Sequence, residues 1–263
     1  MTEDTSTRRG PDWRRKAVAD HVLSAGSVSA ADLAELFGVS LMTVHRDLDE
    51  LERQGIVRKY RGGVTAQPSG VFESNVAYRM KSMRHAKDAI AERAAALVEP
   101  GMAVMLDDST TALALASRLV GITPLTVVTN FLEAMNLLAR ERDIRLMALG
   151  GDYDPLHDSF LGMSCVDAIE SLRVDLCFVS TSAVSAGFAY HQEQHIVSVK
   201  RAMLAAASRN VLLVDHTKLG RVALHRVAPL EVFERVVVDD GADAEALREL
   251  DEHKVAYEVA TSS

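Results

Sequence analysis

Cysteine is nearly missing from this sequence: Cys165 and Cys177 are the only two in 263 residues. They fit no zinc-ligand spacing and no disulfide framework. That excludes a disulfide-stapled secreted domain and favours a reducing cytoplasm. Aromatic residues are scarce at 5%, with Trp13 the one tryptophan, and this scarcity points to no particular class. No apolar run reaches the roughly 20 residues needed to cross a bilayer, so no membrane partner is expected. The opening MTEDTSTRRGPDW has no apolar stretch of the kind a signal peptide needs. It reads as a disordered tail over residues 1–12. Internal repeats and long low-complexity segments are also lacking.

What remains is ordinary for a soluble globular chain: 48% hydrophobic and 25% charged residues. The length allows one or two domains with a real core. The net charge is -8, and a uniformly acidic surface would repel a polyanion. Acidic and basic residues balance over Met1–Thr65, so the rest of the chain carries the whole deficit. Bases bunch at Arg14–Lys16 and Arg58–Arg61, which suggests a basic face on a small first domain.

Three helical stretches lie in that first part. One runs roughly from Trp13 to Leu23, with Val18 and Val22 a turn apart, and Gly26 ends it. In SAADLAELFG, Ser29 is the expected N-cap, with Asp32 three residues on. Leu33, Leu36 and Phe37 are its expected buried stripe. Gly38 permits a sharp turn, and Ser40 caps the third helix. On that helix Leu41, Val44, Leu48 and Leu51 share the expected inward face. Arg46 then points outward, flanked by Met42 and Thr43, with His45 at the boundary. Asp49 and Glu50 follow on the outer face, so only the first two turns suit a DNA groove. GIVRKYRGGVTA alternates apolar and basic residues around Gly62 and Gly63, a hairpin signal. Two short helices joined through FGVS, followed by a basic hairpin, match a winged helix-turn-helix over residues 13–66.

The run SAADLAELFGVSLMTVHRDLDELERQGIVRKYRGG resembles the DNA-binding domain of the DeoR family of bacterial transcription regulators. Val39, Ser40, Thr43, Val44, Arg46, Asp47, Leu48 and Leu51 follow the family pattern. His45 stands where the family usually has a second arginine. The chemistry gives Arg46 a guanine edge or a phosphate, and Ser40 and Thr43 a phosphate or thymine methyl. Met42 and His45 join them as candidate DNA-contacting residues. Arg58, Lys59 and Arg61 suit phosphates, and Asp47 suits an internal ion pair.

AQPSGV at Ala66–Val71 marks a boundary, and residues 67–100 are expected as a linker and connecting helix. Ile90, Ala94, Leu97 and Val98 fall on one face of that helix. Arg79, Lys81, Arg84, His85 and Lys87 read as a solvated basic face. Over residues 101–260, apolar strands alternate with helices: AVMLD, LTVVT, IRLMALG, VDLCFVS, NVLLVD, RVVVDD and KVAYEV. That pattern implies an α/β, Rossmann-like parallel sheet covered on both faces. Ligands in such sheets gather beyond the carboxyl ends of the strands.

Polar residues collect at those ends. Asp107, Asp108, Ser109, Thr110 and Thr111 open a helix after the first strand, where a phosphate or a plain N-cap fits. Thr129 and Asn130 end the second strand, Gly150 and Gly151 the third, and Asp215 and Lys218 follow the fifth. Lys200 sits on the preceding helix. These pieces resemble the DeoR effector domain, itself similar to ribose-phosphate isomerase and glucosamine-phosphate deaminase. The resemblance, carried by Asp107, Thr110, Thr111, Thr129, Asn130, Gly150, Gly151, Lys200, Asp215 and Lys218, implies a phosphorylated sugar or polyol bound there, and Asp108 and Ser109 complete the expected site. It departs at Asp108 and Ser109, at Ser180–Ala183 where a Gly-x-x-Gly turn is usual, and at Val197 and Ser198 before Lys200.

HQEQH, His191 to His195, has the spacing of two helical metal ligands, but no third ligand is evident. Helix-start polarity is the preferred reading, and neither metal nor cofactor is expected. The leading expectation is a cytoplasmic repressor of carbohydrate genes that binds a double-stranded DNA operator as a homodimer or homotetramer. An enzyme is the competing class, a sugar-phosphate isomerase or deaminase with Asp107, Asp108 or Asp215 as base. A third reading makes the first domain a protein-docking module.

Overall fold

The computed structural model describes residues 10–25, 27–53, 56–60, 62–66 and 76–261. Most of the expected tail, Gly26, Arg61 and residues 67–71 lie outside the described residues. The chain divides into two units, Met1–Phe72 and Glu73–Ser263.

The first unit holds α1 (Pro11–Ala25), β1 (Ser27–Ser29), α2 (Ala30–Phe37), α3 (Leu41–Arg53), β2 (Val57–Tyr60) and β3 (Gly63–Ala66). Local chemistry sets its corners. The Ser29 hydroxyl accepts from the Asp32 N–H at 3.0 Å and starts α2. Gly38, with φ of 61°, takes the left-handed conformation that closes α2. The Ser40 hydroxyl accepts from the Thr43 N–H at 3.2 Å and starts α3. Val18, Val22, Leu33, Val44, Leu48 and Leu51 are buried between the helices.

Two expected stripe residues face water instead: Leu36 is 57% exposed and Leu41 48%. Each sits at a helix end, where the wheel places it at the edge of the stripe. Asp47 takes an inward place, between Val44 and Leu51 in spacing, and is only 3% exposed. Arg14 makes that burial tolerable by donating Nε–H to Asp47 Oδ2 at 2.6 Å. The wing is a sheet in the order β1-β3-β2, so β1 adds a strand the sequence reading lacked. Tyr60 pairs with Gly63, which leaves Gly62, with φ of 95°, in the turn. A Cβ on Gly63 would meet the Val28 carbonyl oxygen at 2.7 Å.

The second unit begins with α4 (Val76–Lys81) and α5 (Arg84–Ala95). The segment read as a linker and connecting helix thus holds two helices, and α5 joins the core. Ile90, Ala91 and Ala94 of α5 are fully buried, whereas Leu97 is half-buried. The basic face is not wholly solvated either. Lys87 is buried, and its Nζ donates to the carbonyls of Arg79 at 2.5 Å and Ser82 at 2.8 Å. It satisfies carbonyls that the end of α4 leaves open.

The main sheet has seven strands. Along the chain come β4 (Ala103–Leu106), α6 (Thr110–Leu119), β5 (Leu125–Thr129), α7 (Leu132–Leu138) and β6 (Ile144–Ala148). A hairpin of β7 (Asp152–Asp154) and β8 (Ser159–Leu161) leads to α8 (Met163–Glu170) and β9 (Val174–Ser180). Then β10 (Ala183–Ser185), β11 (Phe188–His191), α9 (Gln194–Ala206), β12 (Ala207–Val214) and β13 (His225–Pro229) follow. The chain closes with β14 (Arg235–Asp239), α10 (Ala244–Glu252) and β15 (Tyr257–Ala260).

The seven strands run β15-β14-β12-β9-β4-β5-β6, every pair parallel. Successive residues of β4 enter opposite cores. Val104 and Leu106 pack with Ile90, Leu115 and Leu138. Met105 packs with Ile169, Met203 and Leu250. Helices therefore cover both faces, as the near-continuous apolar strands require. A small antiparallel sheet, β10-β11-β13, is an addition not anticipated from the sequence. Among the described residues no helix is long and apolar enough to cross a membrane.

Candidate functional site

Chain order reverses across the sheet between β4 and β9. Strands β4, β5 and β6 build one way, and β9, β12, β14 and β15 the other. Such a switch point leaves a crevice beyond the strand ends. Here the crevice forms a small polar pocket. Asp108, Ser109, Ser180, Thr181, Ser182, Lys200, Lys218, Arg79, His157 and His191 line it.

The centre of the site is a buried charge cluster. Lys200 Nζ donates to Asp107 and lies 3.3 Å from Asp108 Oδ1. Asp107 also accepts from the N–H of Ser180 at 2.7 Å and of Ser109 at 3.1 Å, tying the ends of β9 and β4 together. Asp108 Oδ2 accepts from Ser159 at 3.0 Å. Burial alone would raise the Asp108 pKa, but Lys200 and Arg79 outweigh it and hold the carboxyl well below its usual range. Burial likewise pulls the Lys200 ammonium down, and the two aspartates outweigh that and raise it. Lys200 and Asp108 stay charged together.

The remaining lining is polar. Lys218 Nζ donates to the Thr181 carbonyl at 2.9 Å and lies 3.9 Å from Asp215. Burial pushes the Asp215 carboxyl up, and Lys218 and Thr217 bring it below its ordinary value. His191 is pushed down to about 3 by burial and Lys200. Its ring is therefore neutral near pH 7. Its Nδ1 accepts from the Glu193 N–H at 3.2 Å, which leaves the proton on Nε2. Burial pushes the His157 ring down, but Glu193 and Asp108 outweigh it and raise it.

Of the twelve residues expected to hold an effector, Asp108, Ser109, Lys200 and Lys218 line the pocket. The other eight are not among its lining residues. Ser109 caps α6 by accepting from the Ala112 N–H at 3.0 Å, and Thr110 and Thr111 are buried beside it. Thr129 accepts from the Phe131 N–H at 3.1 Å, and Asn130 donates to the Phe160 carbonyl at 3.0 Å. Gly151 is needed because a Cβ would collide with the Leu161 carbonyl, so its close approach is to the hairpin. Gly150 has open space around it. Arg79, His157 and His191 were missed as lining residues. They come from a short helix, a hairpin turn and an inserted strand, where no hydrophobic period points at a site. Ser180–Ser182 had a signal in following a strand end directly.

His191 and His195 are not a pair on one helix: His191 ends β11, and α9 starts at Gln194. Both cysteines are buried and unpaired, and burial pushes the Cys165 thiol up to about 11. Neither offers a thiolate at neutral pH.

On the first unit, Met42 and Arg46 of α3 are exposed and Thr43 and His45 half-buried. The Ser40 and Thr43 hydroxyls share a hydrogen bond of 2.9 Å. Acidic residues further along are engaged locally: Asp49 pairs with Lys59, and Glu50 with Arg53. Lys59 thus carries its charge against Asp49, while Arg58 is exposed on the wing.

Family models match both halves: the DeoR-like helix-turn-helix domain over residues 14–69 and the DeoR C terminal sensor domain over 82–240. The chain belongs to the DeoR family. This DeoR-family chain is 35% identical to the uncharacterized HTH-type transcriptional regulator YgbI of Escherichia coli, covering 91% of this chain and 94% of that one. It is 29% identical to the glycerol-3-phosphate regulon repressor of the same organism, covering 94% and 98%. With the HTH-type transcriptional regulator IolR of Bacillus subtilis it shares 26%, again over 94% and 98%. Ribose 5-phosphate isomerase A of Methanocaldococcus jannaschii overlays 50% of this chain and 52% of its own, at 20% identity and a TM-score of 0.37. That overlay is too partial to carry weight.

Proposed function

We propose that this DeoR-family protein is a sequence-specific repressor of carbohydrate genes, acting in the cytoplasm and released from its operator by a small phosphorylated sugar or polyol. The observation that carries the reading is a polar, cation-bearing pocket at the switch point of a sensor domain joined to a winged helix-turn-helix. Arg79 and Lys218 supply positive charge for a phosphate. Asp108, Ser182 and the His191 N–H supply partners for hydroxyl groups. Lys200 is spent on Asp107 and Asp108, so its role is to keep two carboxylates buried rather than to bind phosphate. The glycerol-3-phosphate regulon repressor, similar over nearly the whole chain, supports the same ligand class.

On DNA, Arg46 reads a base edge, Ser40, Met42, Thr43 and His45 lie alongside, and Arg58, Lys59 and Arg61 meet phosphates. Binding as a homodimer or homotetramer would match paired half-sites. An isomerase or deaminase works best with a base whose pKa lies near neutral pH. Asp108 and Asp215 are held ionised by neighbouring lysines, and this supports sensing over turnover.

The test is a mobility shift on DNA upstream of the protein's own gene, with sugar and polyol phosphates screened as releasers. Retarded DNA that one phosphorylated compound frees, while its dephosphorylated form does not, is the expected result. No retarded band at modest salt, or turnover of the panel by purified protein, would overturn the reading.

A further inference from the structure

Both ring nitrogens of buried His157 face carboxylate oxygens. Nδ1 lies 3.2 Å from Asp154 Oδ2, and Nε2 lies 3.4 Å from Glu193 Oε1. Carboxylates only accept hydrogen bonds, and a neutral imidazole has one N–H to give. In a neutral ring, one nitrogen of His157 therefore points its lone pair at a carboxylate, and only added positive charge, a proton or a metal ion, relieves it. Nε2 is buried with no hydrogen-bond partner. His195 brings a second imidazole to the same carboxylates: its Nε2 lies 3.2 Å from Glu193 Oε2 and 3.6 Å from Asp154 Oδ2. Ligand atoms of Asp154, His157 and His195 all fall within 4.8 Å of one another. With neutral rings, the two carboxylates leave this cluster short of positive charge.

We propose that Asp154 Oδ2, His157 Nδ1 and His195 Nε2 bind one divalent cation of the zinc type. Bonds of about 2.0–2.1 Å in a tetrahedron set the ligand atoms roughly 3.3 Å apart. The two edges that meet at Asp154 Oδ2 are 3.2 and 3.6 Å. Ligation through Nδ1 fixes the His157 proton on Nε2, where it faces Glu193. Metal-bound histidines commonly donate their other N–H to such an outer carboxylate. The dication also balances Asp154 and Glu193 with both rings uncharged. Two imidazoles select a zinc-type ion over magnesium or calcium, which prefer oxygen throughout. The ligands come from the β7–β8 turn and the first turn of α9. That helix carries Lys200, and His157 lines the pocket. The ion therefore braces the hairpin against a wall of the pocket. The inference stands on this geometry and does not depend on the effector reading.

The test uses the full chain, stripped with a chelator, gel-filtered and titrated with zinc chloride. One zinc per chain and a higher Tm are expected. His195→Ala alters a half-exposed side chain, and Asp154→Asn keeps its size. Each should weaken zinc binding roughly tenfold or more, while exposed His85→Ala leaves it unchanged. Cobalt(II) uptake should give a visible spectrum that both variants lose, read alongside circular dichroism to confirm folding. Zinc uptake equal in wild type and both variants, or none by the wild type, overturns the proposal. Because the readout is bound metal and not DNA release, that failure would leave the effector reading untouched.

Discussion

Lys200 holds Asp107 and Asp108 at once, with all three side chains buried. Removing one partner of such a group leaves uncompensated charge in a low-dielectric site. Lys200→Met should cost roughly 3–5 kcal/mol. The pH dependence has a definite sign. In the wild type, Asp108 is depressed, so its contribution is present above the ordinary carboxylate range and is lost as pH falls through its native value. Lys200 is raised, so its contribution is present below the ordinary lysine value and is lost as pH rises through its native one. Between those limits the wild type is insensitive to this cluster. In Lys200→Met, burial dominates at Asp108, and stability falls as pH rises from acid. The Tm gap between the two proteins should be wider at pH 8 than at pH 5. Thermal unfolding in matched buffers reads it, and an equal gap at both values would contradict the account.

Arg46→Ala removes an exposed side chain, so its Tm should stay near the wild type's. Affinity for a cognate operator should drop by about 1–3 kcal/mol, with selectivity relaxed at one base position. Arg58→Ala should instead weaken binding to all sequences and reduce the salt slope by about one. Fluorescence anisotropy across a salt series separates the two patterns.

Asp47→Ala should lower stability without any direct DNA contact. It leaves Arg14 without a carboxylate in a partly buried position and opens a gap between α1 and α3. The expected loss is about 1–3 kcal/mol. Denaturant unfolding of the isolated variant checks it; an unchanged midpoint would mean the pair contributes nothing.

Arg79→Ala and Lys218→Ala touch the pocket and not the DNA-reading helix. Operator binding without ligand should persist in both. The concentration of a releasing phosphate needed for half release should rise at least about tenfold, since each loses a charge-assisted contact of roughly 1.5–3 kcal/mol. If either variant responds like the wild type, that side chain does not meet the phosphate.

The sequence displayed much of this architecture and hid particular parts of it. Seven apolar strands and their helices could be read because a sheet covered on both faces imposes one simple pattern. Caps at Ser29 and Ser40 could be read because a hydroxyl three residues before a free N–H has one common use. The ion pair of Asp47 is legible in its charge, yet that same charge hides its place on the inward stripe. Leu36 and Leu41 misled for the opposite reason: they are apolar, but sit at helix ends. In the site, Lys200 and its aspartates were visible at strand ends. Arg79, His157 and His191 were not, because long-range folding and not local period brings them to the pocket.

The sheet grows outward in two directions from the seam between β4 and β9, and the pocket sits on that seam. The outermost strands, β6 and β15, add width to the scaffold without lining it. The groups that face the pocket come from the turns after β4, β9 and β12 and from α4, the β7–β8 turn, β11 and α9. Anyone redesigning specificity should vary those few positions and leave β15 and the body of β6 alone.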